Sequence, residues 1–199
     1  MPEFTDFANA SSEDIAWYRE HHHQGLVKAQ QFMQDIRNGV PEDDFPNILG
    51  RFLGSVEWYF DWREVMHWRD AASHEGFAEE ATAFFRSLPL TTQQDYEHYS
   101  HFFAEEFGKG FAEVNYFLLF CHFVSNPNVY CAMKLSRLEK VFRQMGIEMK
   151  LKGHLLSFAE FKRINSIATQ LFQGLKQYHP TDMTDVQIVM HYCGGESWK

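Results

Sequence analysis

The run Tyr116-Phe117-Leu118-Leu119-Phe120-Cys121-His122-Phe123-Val124 leaves this chain few places to go. It is apolar on every side except at His122, so a helix formed from it must be enclosed. A membrane-spanning helix needs about 20 apolar residues, and Glu113 and Asn115 interrupt any longer apolar stretch here. The run therefore predicts the middle of a folded core. Around it, Tyr96, Tyr99, Phe103, Phe107, Phe111, Val114, Phe117, Cys121 and Val124 recur every three or four residues, which is one face of a helix. Thr91 or Thr92 would cap that helix, with Gln94 or Asp95 completing a capping box. The spacing predicts one long central helix over about 93–124, roughly 50 Å at about 1.5 Å per residue. Its weak point is the Gly108 and Gly110 pair, each costing on the order of 1 kcal/mol relative to Ala in a helix interior. They mark either a close approach of another helix or a kink.

The same periodicity recurs along the chain. Ile15, Tyr18, His22, Leu26, Ala29, Met33 and Ile36 predict a first helix stopped by Asn38-Gly39. A second runs from about Pro46 to Arg69 or beyond, with Gly50 and Gly54 as a small-residue pair suited to close packing. Ser73 would cap a third, which carries Phe77, Ala81, Phe84 and Leu88 and is ended by Pro89. After the central helix, a fifth lies near 129–145 with Gly146 as its stop. Ser157 with Glu160 forms a capping box for a sixth, and Thr181 or Thr184 caps a last short helix through about Tyr192. No stretch alternates as a strand would. The chain is thus expected to be all-α, a compact bundle of about seven helices around the 93–124 helix. It would form a single helical domain over 1–199, or two closely packed lobes, about 1–128 and 129–199.

Composition supports a packed interior, since 20 Phe, 5 Trp and 8 Tyr are far more than a disordered chain carries. Charge is unevenly spread. Residues 1–129 hold 8 Lys/Arg against 21 Asp/Glu, a net −13, whereas residues 130–178 hold 9 against 3, a net +6. The overall charge of −9 argues against nucleic acid as a partner, because phosphate contacts need a basic surface. The asymmetry would instead draw the two halves together or steer an acidic partner to one end. Cys121, Cys131 and Cys193 form no CxxC pair and leave an odd count, which points to an intracellular, reducing compartment. The first residues are acidic and lack both an apolar signal core and an Arg-rich transit character, so the cytoplasm is the simple reading, with organelle import left open. No membrane span is expected.

Candidate chemistry centres on two acid and histidine faces. Glu57, Asp61, Glu64, His67, Asp70 and His74 step by three and four residues along the second helix. Glu64-x-x-His67 is the spacing by which a helix offers two ligands to one metal of a di-iron pair. His98, His101 and Glu105 share a face of the central helix in the same way, so two helices packed face to face would build a carboxylate–imidazole site for iron or manganese. Against this, a ferritin-like centre needs two Glu-x-x-His elements and one is present, and neither HExxH nor a Cys/His zinc pattern occurs. Arg63 and Arg69 interleave with the acids as surface ion-pair partners would, so a solvated acidic face is favoured over a metal site. His21, His22 and His23 fan over about 200° of the first helix and cannot converge on one ion, which makes them surface or interface histidines. No nucleophile elbow, phosphate loop, dinucleotide fingerprint or kinase signature is present, and no catalytic residue is assigned.

The segment RLEKVFRQMGIEMKLKGHLLSFAEFKRI, Arg137 to Ile164, resembles a degenerate EF-hand. It offers a helix with Phe142, a loop with Gly153, then Leu156-Ser157 and Glu160-Phe161. Were Glu160 to close a 12-residue loop, the first, third and fifth positions would be Met149, Leu151 and Gly153, none with a side-chain oxygen. Lys150 and Lys152 add positive charge, so calcium is not expected. The resemblance implies a helix-pair scaffold that grips partner helices without metal. The sequence thus favours a non-catalytic scaffold, adaptor or accessory subunit that binds other proteins, with no cofactor. The rival is a helical metalloenzyme using Glu64, His67, His98, His101 and Glu105.

Overall fold

A computed structural model describes residues 12–55, 60–108 and 110–193. Every regular element among them is helical. In chain order these are α1 (Ser12–Asn38), a 3-10 turn (Glu42–Asp44), α2 (Phe45–Gly54), α3 (Trp62–Ala71), α4 (Phe77–Ser87), α5 (Gln93–Phe107), α6 (Phe111–Ser125), α7 (Leu135–Gln144), α8 (Phe158–Gly174), a 3-10 turn (Lys176–Tyr178) and α9 (Met183–Cys193). The all-α expectation holds. There are nine helices among the described residues instead of seven, because two expected long helices are each divided.

The first division is at the Gly108–Gly110 pair. Gly108 takes φ +53 and closes α5 in the left-handed region, which a side chain would disfavour. Gly110 then precedes α6, and the two helices pack on each other. The central element is therefore a helical hairpin, not one long rod. The second division lies between α2 and α3. Asp61 is the N-cap of α3, accepting from the backbone N–H groups of Arg63 and Glu64, while the Glu64 carboxylate accepts from the Asp61 N–H. This capping box starts a new helix where the periodicity suggested continuation. Glu57 lies outside the described residues.

Two caps fall where expected and two do not. Thr92 caps α5 through Asp95, and Ser157 caps α8 through Glu160. Ser73 turns back to the Arg69 carbonyl, and α4 instead follows Gly76 at φ +77. At α9 the Thr184 N–H is taken by Asp182, so neither threonine is the cap.

Residues 114–124 of α6 are buried without exception, as the apolar run requires. A web of rings surrounds them. Phe117 meets Trp68, Phe84, Phe85, Phe103 and Phe107 within 4.1 to 6.3 Å, and Phe60, between α2 and α3, inserts against Phe120. α1 lies across α2, α4, α6 and α9. One continuous set of buried side chains runs from Leu26 to Met190, through both the acidic and the basic parts of the chain. α9, expected only as a last short helix, is interior too, with Met183 to Met190 all buried. Among the described residues no helix is long and apolar enough to cross a membrane.

Buried polar side chains pin the connections. The Asn115 amide donates to the His154 carbonyl and accepts from the Leu156 N–H, each at 2.9 Å, imitating one rung of a sheet. Asn165 likewise accepts from the Cys131 N–H. His122 donates through Nδ1 to the Leu118 carbonyl and accepts at Nε2 from the Leu90 N–H. Burial holds its pKa down at about 4, with the Leu118 contact opposing, so the ring is neutral.

Candidate functional site

The two acid and histidine faces do not converge. Glu64 is committed to the α3 capping box and reaches Lys134 at 3.8 Å. His98 turns toward α4, where its Nε2 lies 2.6 Å from Glu80. His101 and Glu105 are exposed on α5, and His67 is half-buried on α3. The end of α3 reaches α5 through the Trp68 ring against Phe107 and, just beyond the helix, through His74 with Glu106 at 2.8 Å. Helical phase places residues on a face, but the face of α5 that carries His98 is shared with α4. Among the described residues no three His, Cys, Asp or Glu side chains form a metal-holding group. Of the three successive histidines, His21 and His23 are exposed, while His22 is buried in the core, as its place on the apolar stripe of the first helix implies.

The EF-hand-like segment forms a helix, a loop and a helix. Gly153 adopts φ +88, and both Glu160 oxygens are engaged, one by the His154 ring at 3.0 Å and one by the Ser157 N–H and hydroxyl. Burial raises the Glu160 pKa, but the hydrogen bonds from Ser157 and His154 outweigh it and hold the carboxyl below its usual value. The loop is further tied to α7 through Glu139, which accepts from the Leu151 N–H.

A concave surface forms instead across α2, where α1 and α3 flank it. One groove of about 890 Å³ has Val40, Ile48, Val65 and Asn47 in its walls, with Arg51 and Arg69 above them. A second, of about 520 Å³, continues on the other side of Arg51 and is lined by Gln24, Lys28, Phe32 and Ser55. Arg51 is the wall that the two share.

The side chains around this trough are arranged by local physics. Gly50 lies under Arg69: a Cβ there would come within 2.5 Å of the Arg69 Cδ, so the missing side chain is what lets the arginine lie flat across α2. Arg69 then donates to the Asn47 Oδ1 at 2.9 Å and to the Met66 sulfur at 3.8 Å. The guanidinium of Arg51 sits 5.8 Å over the Phe32 ring and that of Arg63 5.4 Å over Trp62. Neither Arg63 nor Arg69 meets a carboxylate of the described residues at ion-pair distance, although the backbone N–H groups of Arg63 and Glu64, helped by the Arg63 charge, hold Asp61 below its usual pKa. One turn apart on α3, Trp62 is 71% exposed and Met66 44% exposed. The spacing offers Gly50 with Gly54 as a packing pair, yet it is an arginine that uses Gly50, and nothing among the described residues lies within 4 Å of where a Gly54 Cβ would be. The available sequence signal was an arginine-rich helix beginning with Trp.

Chemically the trough offers guanidinium and ammonium groups, an amide, and apolar floor and rim, without a nucleophile and base in contact. No protein-family profile, curated protein or solved structure matches the chain.

Proposed function

We propose that the protein is a non-catalytic scaffold, adaptor or accessory subunit whose α2–α3 face docks another protein. The observation that supports this reading is Trp62 and Met66, exposed one turn apart, among arginines engaged with rings, an amide and a thioether. Trp, Met and Arg are the residue types enriched where protein interfaces are most strongly held. A ring as open to water as Trp62 gains most of its burial energy only when a partner covers it. The EF-hand-like helix pair, with its loop closed by His154 and Glu160, fits a structural role for the C-terminal part.

The test is co-purification from native extract with wild-type protein and with Trp62→Ala. A stable partner recovered with the wild type and lost, or weakened about tenfold or more, with the variant is the expected result. A wild-type protein that migrates as a lone monomer in extract, or a partner indifferent to Trp62, overturns the assignment of this face.

A further inference from the structure

We infer that the trough over α2 binds a short acidic segment of that partner, its carboxylates taken by Lys28, Arg51 and Arg69 and an apolar side chain resting on Trp62 and Met66. This rests on the docking reading above and adds the chemistry of what docks.

Three observations carry it. First, the cations border both grooves. Arg51 divides the two grooves, Lys28 lies in one and Arg69 in the other. Second, these cations stand in the acid-rich part of the chain, where carboxylates are abundant, yet none of the three forms an ion pair among the described residues. Arg19, by contrast, is paired with Asp185. Third, Arg69 is prepared in advance. Gly50 gives it a bed and Asn47 holds one amino group, so little side-chain freedom remains to be lost on binding. A guanidinium has five N–H donors, and Asn47 and Met66 engage two, which leaves three for a carboxylate.

The acids of the larger groove, Asp35 and Asp44, limit what fits. They and the surrounding negative surface repel any polyanion that extends beyond the cations. Screening confines attraction to about 8 Å at physiological salt, so a local carboxylate pair is drawn in while a nucleic acid or an anionic bilayer is not. The concave shape favours a chain segment over a flat membrane for the same reason.

The probe is a short fluorescein-labelled peptide of Glu, Leu and Phe, compared by anisotropy with the same peptide carrying Lys for every Glu. The full-length protein should bind the acidic peptide at least about tenfold more tightly, and the preference should fade as salt rises from about 50 to about 300 mM. Arg51→Gln with Arg69→Gln should weaken acidic-peptide binding about tenfold or more. Gly50→Ala keeps every charge but displaces the Arg69 arm, so it too should weaken binding, with helicity by circular dichroism unchanged. Equal binding of the two peptides overturns the inference. So does undiminished binding to the Arg51/Arg69 double variant in a folded state. So does sedimentation with phosphatidylcholine–phosphatidylserine vesicles in place of peptide binding. The two proposals fail separately. A native partner lost with Trp62→Ala but held by the double variant refutes the acidic segment and leaves the docking face standing.

Discussion

α6 over 114–124 and α9 over 183–190 are both enclosed, yet they are built from different materials. Over that stretch α6 is nearly all apolar, and its buried Asn115 and His122 are satisfied, Asn115 by the backbone of His154 and Leu156 and His122 by Leu90 and Leu118. Only at its first turn does Glu113 bury an Oε2 without a hydrogen-bond partner among the described residues. α9 buries Thr184, Asp185 and Gln187 among Val186, Ile188, Val189 and Met190. Asp185 accepts from the Thr181 N–H and from Arg19, so its charge is met within its own turn and from α1. Gln187 is different, because neither end of its buried amide has a full hydrogen-bond partner; it approaches only the Cys131 thiol, a weak group. The two helices show two routes to the interior: α6 is apolar along its buried length, whereas α9 has the Asp185 charge met by Arg19 and the Thr181 N–H and carries Gln187 as an unpaired cost.

The comparison can be broken by equivalent truncations. Leu119→Ala in α6 and Ile188→Ala in α9 should each cost about 2–5 kcal/mol in urea unfolding, since both side chains are fully buried. A cost below about 1 kcal/mol for Ile188→Ala would remove α9 from the core. The next largest effect is on α6 alone and comes from acid. His122 is held neutral with a pKa of about 4 against 6.5 in the unfolded chain. The unfolded state therefore takes up its proton first. Stability is intact above pH 6.5, falls as the pH drops toward 4, and loses about 3 kcal/mol in all. Tyr96, Tyr130 and Phe161 surround the ring and supply no charge in that range. His122→Phe should flatten this limb of the pH–stability curve, and an unchanged acid slope would show that the ring is not buried neutral.

Asn115→Ala should cost about 2 kcal/mol, because it leaves the Leu156 N–H without its acceptor in a buried setting. The smallest effect has the opposite sign. Gln187→Leu exchanges an unsatisfied amide for a side chain of similar size, and should raise stability by about 1 kcal/mol. A loss of stability would mean that the amide is satisfied after all.

The same distinction explains what the sequence could tell. Periodic apolar residues located the helices, and the run from Tyr116 to Val124 announced its own burial. The division between α2 and α3 was harder to read. Asp61 belongs to a series of acids spaced like a helical face, and only geometry distinguishes a capping carboxylate from a solvated one. The burial of α9 was concealed for a related reason, since Asp185 is neutralised by Arg19, 166 residues away. At the site, adjacency misled. Arg63 and Arg69 stand among acids in the chain, but the ring of Trp62 and the bed at Gly50 turn them elsewhere. Glu64 and His67 do share a helix, but Glu64 serves the start of α3, and His98 serves α4.

The side-chain rung at Asn115 has a dynamic consequence. It joins α6 to the loop before α8 across 41 residues of sequence, and it is made by one amide rather than by a strand. The loop cannot lift from α6 without giving up both bonds together. In hydrogen–deuterium exchange, the Leu156 amide should therefore be lost on the timescale of the α6 core rather than that of its neighbours Lys152 and Gly153, which are exposed. A slow Leu156 amide beside fast Lys152 and Gly153 would mark where the C-terminal helices are fastened to the central hairpin, as Leu151 marks where the loop is tied to α7.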